Sequence, residues 1–267
     1  MDKLLKFYIN GEWVDPLSTD RMPVLNPASA EQVGEVALGG EADVDRAVAA
    51  AAAAFDQFSL SSQAERLDLL ARIRAVTERR FEELAQAMRL EMGAPISMSR
   101  DAQADAAIGH LDGFVAALEK LEEQERFENG EVLLREPIGV CGLITPWNWP
   151  MNQVVLKVLP VIATGCTCVL KPSEHTPVSA MLYAEILDEA GVPAGVFNLV
   201  NGVGPVVGGA LSRHPDVQMM SFTGSTRAGT AVTRDAADSV KRVTLELGGK
   251  SPNLVFADCD LEERVTQ

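Results

Sequence analysis

The chain has 267 residues, 47% of them hydrophobic, and a formal net charge of −15. That length and composition support a sizeable core, in one large domain or two smaller ones. The acidity argues against a nucleic-acid partner, because phosphate binding needs clustered Lys and Arg. "MDKLLKFYINGEWVD" has no long apolar run and no small-residue cleavage site, so no signal peptide is expected. The best apolar stretch, "VVLKVLPVIATG", is short and broken by Lys157 and Pro160. It predicts no transmembrane span, and the expected compartment is the cytoplasm.

"FYINGEWVD" reads as a β-hairpin turning at Asn10-Gly11, the pair preferred in type I′ turns. From Asp43 an alanine-rich run to Phe55 predicts a helix. "SQAE" at Ser62 to Glu65 is a capping box, and it opens one helix that carries Leu69, Leu70, Ile73, Val76, Leu84 and Met88 and ends at Gly93 and Pro95. A further helix is expected from about Ser99 to Glu123. "RFENGEVLLREP" predicts a second hairpin around Asn129-Gly130, projecting from the domain. Its exposed strand edges make it either a solvated hairpin or an oligomer contact.

Short apolar runs then alternate with helical segments: "IGVCGLIT", "CTCVLKP", "VFNLVNG", "VQMMSFTG" and "KRVTLELG" are the apolar ones. Five such strands joined by helices predict an α/β fold, a Rossmann-like parallel sheet covered on both faces. Ligands of such sheets bind beyond the carboxyl ends of the strands. Asn148, Lys171, Gly224 and Glu246 all fall at or just after those ends.

Each has two readings. Asn148, in "TPWNWP", is either an amide donor for a developing oxyanion or a cap for the following helix. Lys171 and Glu174, in "KPSE", suit the hydroxyls of a ribose or form a surface ion pair. "FTGSTRAG" places Gly224, Ser225 and Gly229 where a strand turns into a helix, an arrangement suited to a pyrophosphate. No G-x-G-x-x-G fingerprint is present; "GVGPVVG" at Gly202 to Gly208 has a last spacing one residue too long. Among the four cysteines, Cys141, Cys166 and Cys168 read as buried structural thiols. None belongs to a C-x-x-C pair and no histidine lies at ligand spacing, so no metal is expected. Disulfides are not expected either.

In this order, "TPWNWP", "KPSE", "FTGSTRAG" and "LELGGKSP" resemble the aldehyde dehydrogenase superfamily, as do "FYINGEWVD", "NPA" and "REPIGVCGLI". The resemblance implies NAD as cofactor, with NADP possible, an aldehyde as substrate, and assembly as a homodimer or homotetramer. It implies catalytic roles for Asn148, as oxyanion donor, and for Glu246, as the base that activates water for thioester hydrolysis. Lys171 and Glu174 would contact the adenosine ribose, with the Glu174 carboxylate repelling the 2′-phosphate of NADP. Ser225 would contact the pyrophosphate, Gly224 the nicotinamide region, and Gly204 and Pro205 the adenine. The same resemblance adds Ile144, Thr145, Trp147, Ser173, Phe222, Gly229 and Leu247 to the cofactor contacts. Lys157 fits a supporting role.

By the same resemblance, residues 1–121 are the hairpin and helices of the cofactor-binding domain, and 122–136 an oligomerisation hairpin. Residues 137–248 would be the NAD-binding core and 249–267 the start of a catalytic domain truncated before most of its length. The family's nucleophilic cysteine is expected downstream of "LELGGK" by more residues than follow here, so this chain alone is expected to be inactive. Cys259 is no substitute: Asp258, Asp260, Glu262 and Glu263 surround it with negative charge, the opposite of a reactive thiol's setting. A stand-alone NAD-binding module and a semialdehyde-specific member are the alternatives. Glu246 argues against a CoA-acylating one, which needs no hydrolytic base.

Overall fold

Asn10 (φ 55°) and Gly11 (φ 78°) make the tight turn that joins β1 (Phe7–Ile9) to β2 (Glu12–Val14). The computed structural model describes residues 2–260 and 262. A second antiparallel pair follows, β3 (Arg21–Leu25) with β4 (Gln32–Ala37). The sequence reading missed this pair, since Pro23 weakens the strand signal. Its turn chemistry is nonetheless in the chain: the Asn26 side chain accepts from the Ala28 N–H at 2.9 Å.

Helix α1 (Glu41–Phe58) runs three residues past the expected Phe55. The Ser62–Glu65 capping box opens α2 (Gln63–Arg79) as predicted, but the one helix expected to run on to Gly93 breaks at Arg80, whose backbone (φ −100°, ψ 15°) leaves the helical region. A separate α3 (Phe81–Met92) ends at Gly93 in the left-handed region. The next helical stretch is more broken than its apolar stripe suggests. Helix α4 (Ile96–Met98) passes through a π-helical turn at Ser99–Ala104 into α5 (Asp105–Glu119). It stops at Glu119 and not Glu123, because Gln124 already belongs to a strand. The second hairpin is β5 (Gln124–Arg126) and β6 (Val132–Leu134). Only Gly130 has positive φ there, and its N–H donates to the Phe127 carbonyl at 3.0 Å, so the loop is a longer one than at Asn10.

The expected five parallel strands are β7 (Val140–Ile144), β8 (Thr167–Lys171), β9 (Phe197–Leu199), β10 (Met219–Thr223) and β11 (Arg242–Glu246). Helices α6 (Pro150–Ala163), α7 (Val178–Glu189), α8 (Gly209–Arg213) and α9 (Thr226–Ala236) connect them. The sheet has seven strands and not five, in the order β11-β10-β7-β8-β9-β1-β2. The N-terminal hairpin seals one edge, where Tyr8 pairs antiparallel with Leu199.

One face packs Cys141, Leu143, Leu170 and Leu199 against α2, α3, α5, α6 and α7; the other packs Val140, Ile144, Val169 and Phe222 with α1 and α8. Burial on both faces is complete for β7, β8 and β9. It fails for β10 and β11, where burial alternates along each strand. Met219, Ser221 and Thr223 lie beside Arg242, Thr244 and Glu246 on a face that is only partly covered. Ser251 to Phe256 is irregular, with Leu254 and Phe256 exposed. The expected segment 249–267 lies partly outside the described residues. Among the described residues no helix is long and apolar enough to cross a membrane.

Candidate active site

The parallel strands follow the order β9-β8-β7-β10-β11 across the sheet, so the chain reverses its direction of winding between β7 and β10. At such a switch point the connections leave to opposite sides and open a crevice beyond the strand ends. The register aligns those ends side by side: Ile144 with Lys171, Ile144 with Phe222, and Thr223 with Glu246. Two loop contacts continue the alignment, Thr145 N–H to the Lys171 carbonyl at 3.3 Å and Gly224 N–H to the Glu246 carbonyl at 3.0 Å. The residues singled out in the sequence therefore share one rim.

Beyond β7, Thr145 is buried and Trp147 and Asn148 are exposed. The capping alternative for Asn148 fails, because Trp149 occupies the N-cap of α6 and no side chain caps it. Among the described residues the Asn148 amide side chain has no hydrogen-bond partner, while the Asn148 main-chain carbonyl accepts from the Gln103 side-chain amide at 3.4 Å. An amide free to donate is left at the rim.

Beyond β8, Lys171 (3% exposed) donates to Glu174 Oε2 at 2.8 Å. Burial pushes the Glu174 carboxyl up, but Lys171 outweighs it and the carboxyl lies below its ordinary value. The pair is held in place from below. Ser173 is buried and accepts from the His175 N–H at 3.3 Å. Glu91, wholly buried on α3, accepts from the Val178 and Ser179 N–H groups and so closes the N-terminus of α7. Its carboxyl is pushed up to about 7 by burial, against those hydrogen bonds.

Beyond β9, Gly204 and Pro205 open a π-helical turn over Gly204–Gly208, which abuts Ile144 where Gly208 passes. Beyond β10, Ser225 is the N-cap of α9 and accepts from the Ala228 N–H at 3.2 Å. A Cβ on Gly224 would meet the Phe222 ring at 2.6 Å, and one on Gly229 would meet Leu247 at 2.6 Å. At Gly224 the Phe222 ring fills the space a side chain would take, whereas at Gly229 the exposed Leu247 side chain could move aside. Glu246 itself is exposed on β11. Lys157 rises from α6 beneath it and donates to the Ser221 hydroxyl at 2.8 Å. Burial lowers the Lys157 ammonium to about 8, and the Glu246 charge partly opposes that.

Sequence reasoning missed two rim residues, Thr223 and Thr176. Their hydroxyls are buried with no protein partner among the described residues. Thr223 ends an apolar strand, and that position was the available signal; Thr176 lies five residues beyond the end of β8 and carries no such signal. Among the described residues no group of three or more His, Cys, Asp or Glu could hold a metal.

The sequence profile of the aldehyde dehydrogenase family matches residues 13–267. A 3-succinoylsemialdehyde-pyridine dehydrogenase of Pseudomonas sp. is 52% identical over 261 residues, which are 97% of this chain and 54% of that relative. Putative aldehyde dehydrogenases of Staphylococcus aureus are 48% identical over 258 residues, with the same two coverages. Among solved structures, a mutant of aldehyde dehydrogenase C from Pseudomonas syringae, complexed with NAD+ and octanal, superposes with a TM-score of 0.97. It shares 53% identity and covers 99% of this chain and 54% of its own. A betaine aldehyde dehydrogenase mutant from Staphylococcus aureus, in complex with NAD+, gives 0.94 at 34% identity, covering 98% and 55%. The chain spans about half the length of the curated relatives it matches. With its rim, its switch point and these likenesses together, the chain belongs to the aldehyde dehydrogenase family.

Proposed function

We propose that this chain supplies the NAD-binding half of an aldehyde dehydrogenase, with residues 137–248 as the cofactor-binding core. The observation that carries the reading is the convergence of Lys171, Glu174, Thr223, Gly224 and Ser225 on one rim across the β7/β10 switch point. The residues present fit a dinucleotide. The Thr223 and Thr176 hydroxyls are buried without a protein partner among the described residues. The Ser225-capped N-terminus of α9 suits a pyrophosphate. The free oxygen of Glu174 can accept from a ribose hydroxyl while its charge disfavours a 2′-phosphate, so NAD is preferred over NADP. Gly204 and Pro205 line the adenine end. Ile144, Thr145, Trp147, Ser173, Phe222, Gly229 and Leu247 complete the walls.

When bound, NAD would supply the acceptor for a hydride from the substrate carbon. Asn148 donates from its free amide to the developing oxyanion, and Glu246 takes a proton from water. The nucleophilic thiol of the reaction belongs to the half of the relatives' length that this chain does not cover. Residues 122–136 serve as a contact between subunits of a homodimer or homotetramer. The 52% identity to a semialdehyde dehydrogenase supports a semialdehyde as a second, narrower reading of the substrate.

Calorimetric titration of the folded chain with NAD tests the core of this. Binding is expected, and it is expected to weaken in Ser225→Ala. No heat at millimolar NAD, from chain shown by circular dichroism to be folded, overturns it.

A further inference from the structure

Among the described residues two lysines are buried, and they are satisfied differently. Lys171 (3% exposed) has the Glu174 carboxylate at 2.8 Å. Lys157 (7% exposed) donates at 2.8 Å to the Ser221 hydroxyl, a neutral group, and has no ion-pair partner among the described residues. An ammonium taken out of water without a counter-charge loses ground to its neutral form. The ionisable groups around Lys157 give little relief. Glu246 on β11 acts on it from beyond ion-pair distance, and Cys141 on β7 and Cys166 before β8 are buried thiols. Burial accordingly lowers the Lys157 ammonium to about 8.

A cleft of about 160 Å³ leads to this amine. Its walls include Ile138, Leu143, Leu156 and Met219, and Lys157 is the one cation among its lining residues. It opens beside Leu156 and Thr164, both exposed. An apolar cavity of about 150 Å³ holds a benzene, so this one admits a short alkyl chain or a single ring. With no second charge, the cleft is poorly suited to stabilise a departing anion. Carbonyl condensation, whose leaving group is water, needs none.

We propose that Lys157 is a condensation site for a small apolar aldehyde, which it holds in this cleft as an imine. The Nζ lone pair attacks the carbonyl carbon, the C–N bond forms, and the carbonyl oxygen takes up a proton. The C=N bond then forms as the hydroxyl leaves. Over the two steps two protons of the ammonium depart with the oxygen as water, and nothing is oxidised or reduced. The iminium keeps one N–H, which continues to donate to the Ser221 hydroxyl, so the adduct retains the hydrogen bond of the free amine. Its alkyl group lies against the apolar walls. The step needs neither NAD nor a thiol, and it stands whether or not the rim binds a dinucleotide.

Treatment of the 267-residue chain with butanal and cyanoborohydride at neutral pH, followed by peptide mapping, tests it. Lys157 is expected to acquire a butyl group at least about tenfold faster than the exposed Lys120 and Lys250, because more of it is neutral. Lys171, equally buried but ion-paired, is expected to stay free. Lys157→Arg keeps a cationic donor for Ser221 and is expected to lose the fast label alone. Leu156→Trp, at the cleft mouth, is expected to slow labelling of Lys157 severalfold and to leave Lys120 and Lys250 as before. Labelling of Lys157 no faster than that of Lys250 overturns the assignment. So does an undiminished preference for Lys157 in Leu156→Trp, or with a pyrene aldehyde, which is too broad for the cleft.

Discussion

At the β8 end of the rim, Lys171 is 3% exposed, its ammonium is fixed on Glu174, and Glu91 pins the next helix from below. Three strands away on β11, Glu246 stands exposed on a strand whose burial alternates. The difference comes from where each strand sits. β8 is central and covered on both faces, so its polar end groups must find partners inside the protein. β11 is the outer strand of the described sheet, and its side chains have fewer partners within this chain. Polar groups with similar proposed duties are thus preorganised at one end of a single rim and unsupported at the other.

Breaking the supported end is expected to cost most. Glu91→Ala leaves two buried N–H groups of α7 unpaired and is expected to lower stability by about 3 kcal/mol, read from urea unfolding. Glu91 also carries a pH signature. Its folded carboxyl is pushed up to about 7 from an ordinary 4.5, so between those values the folded chain binds more protons than the unfolded one. This group's contribution therefore favours folding at the acid end and is lost as pH rises from about 4.5 to 7. In Glu91→Gln that part of the slope in urea midpoint against pH is expected to vanish.

Lys171→Met strands the half-buried Glu174 carboxylate, with an expected loss of about 2 kcal/mol in stability. The same variant is expected to bind NAD about tenfold more weakly by calorimetry. Glu174→Gln sharpens the point: the ratio of NADP to NAD dissociation constants is expected to fall, and an unchanged ratio would place Glu174 away from the 2′ position. Between the two ends, Ser225→Ala removes one cap from α9 and is expected to cost about 1 kcal/mol, visible as a lower Tm.

The smallest effect is expected at the exposed end. Glu246→Gln is expected to change stability by less than about 0.5 kcal/mol. It should, however, lower the Lys157 ammonium further below about 8, since a charge that opposes the effect of burial is gone. Titration of the Lys157 side-chain NMR signals checks the direction. An unchanged value would mean that the two groups do not sense each other.

Much of this was legible in the chain because the signals are local. Asn10-Gly11, the Ser62–Glu65 box and Gly93 each determine their own neighbourhood, and the structure has the turn, helix start and helix end they predict. The rim was legible too, as a polar or glycine residue after each apolar run marks a strand's carboxyl end. What escaped depends on distant partners. The docking of the first hairpin is set by residues about 190 positions away, and hairpin periodicity carries no trace of it. The bare faces of β10 and β11 follow from which helices lie over them, which "MMSFT" and "RVTLE" do not encode. The Thr223 hydroxyl stood unread beside Gly224, because a threonine in a strand is ordinarily a packing residue.

The edge strand β1 bears on the order of assembly. Tyr8 pairs with Leu199 and its hydroxyl donates to Asp188 at 2.8 Å, while the Asn10 N–H donates to the Asn198 side chain at 2.9 Å. Residues that leave the ribosome first therefore wait for about 190 later ones before they can join the sheet. Contacts of such long sequence separation carry a high loop-closure entropy and tend to form late in folding. Until then β9 presents an unpaired edge, and a nascent or refolding chain is most prone to pair with a neighbour there.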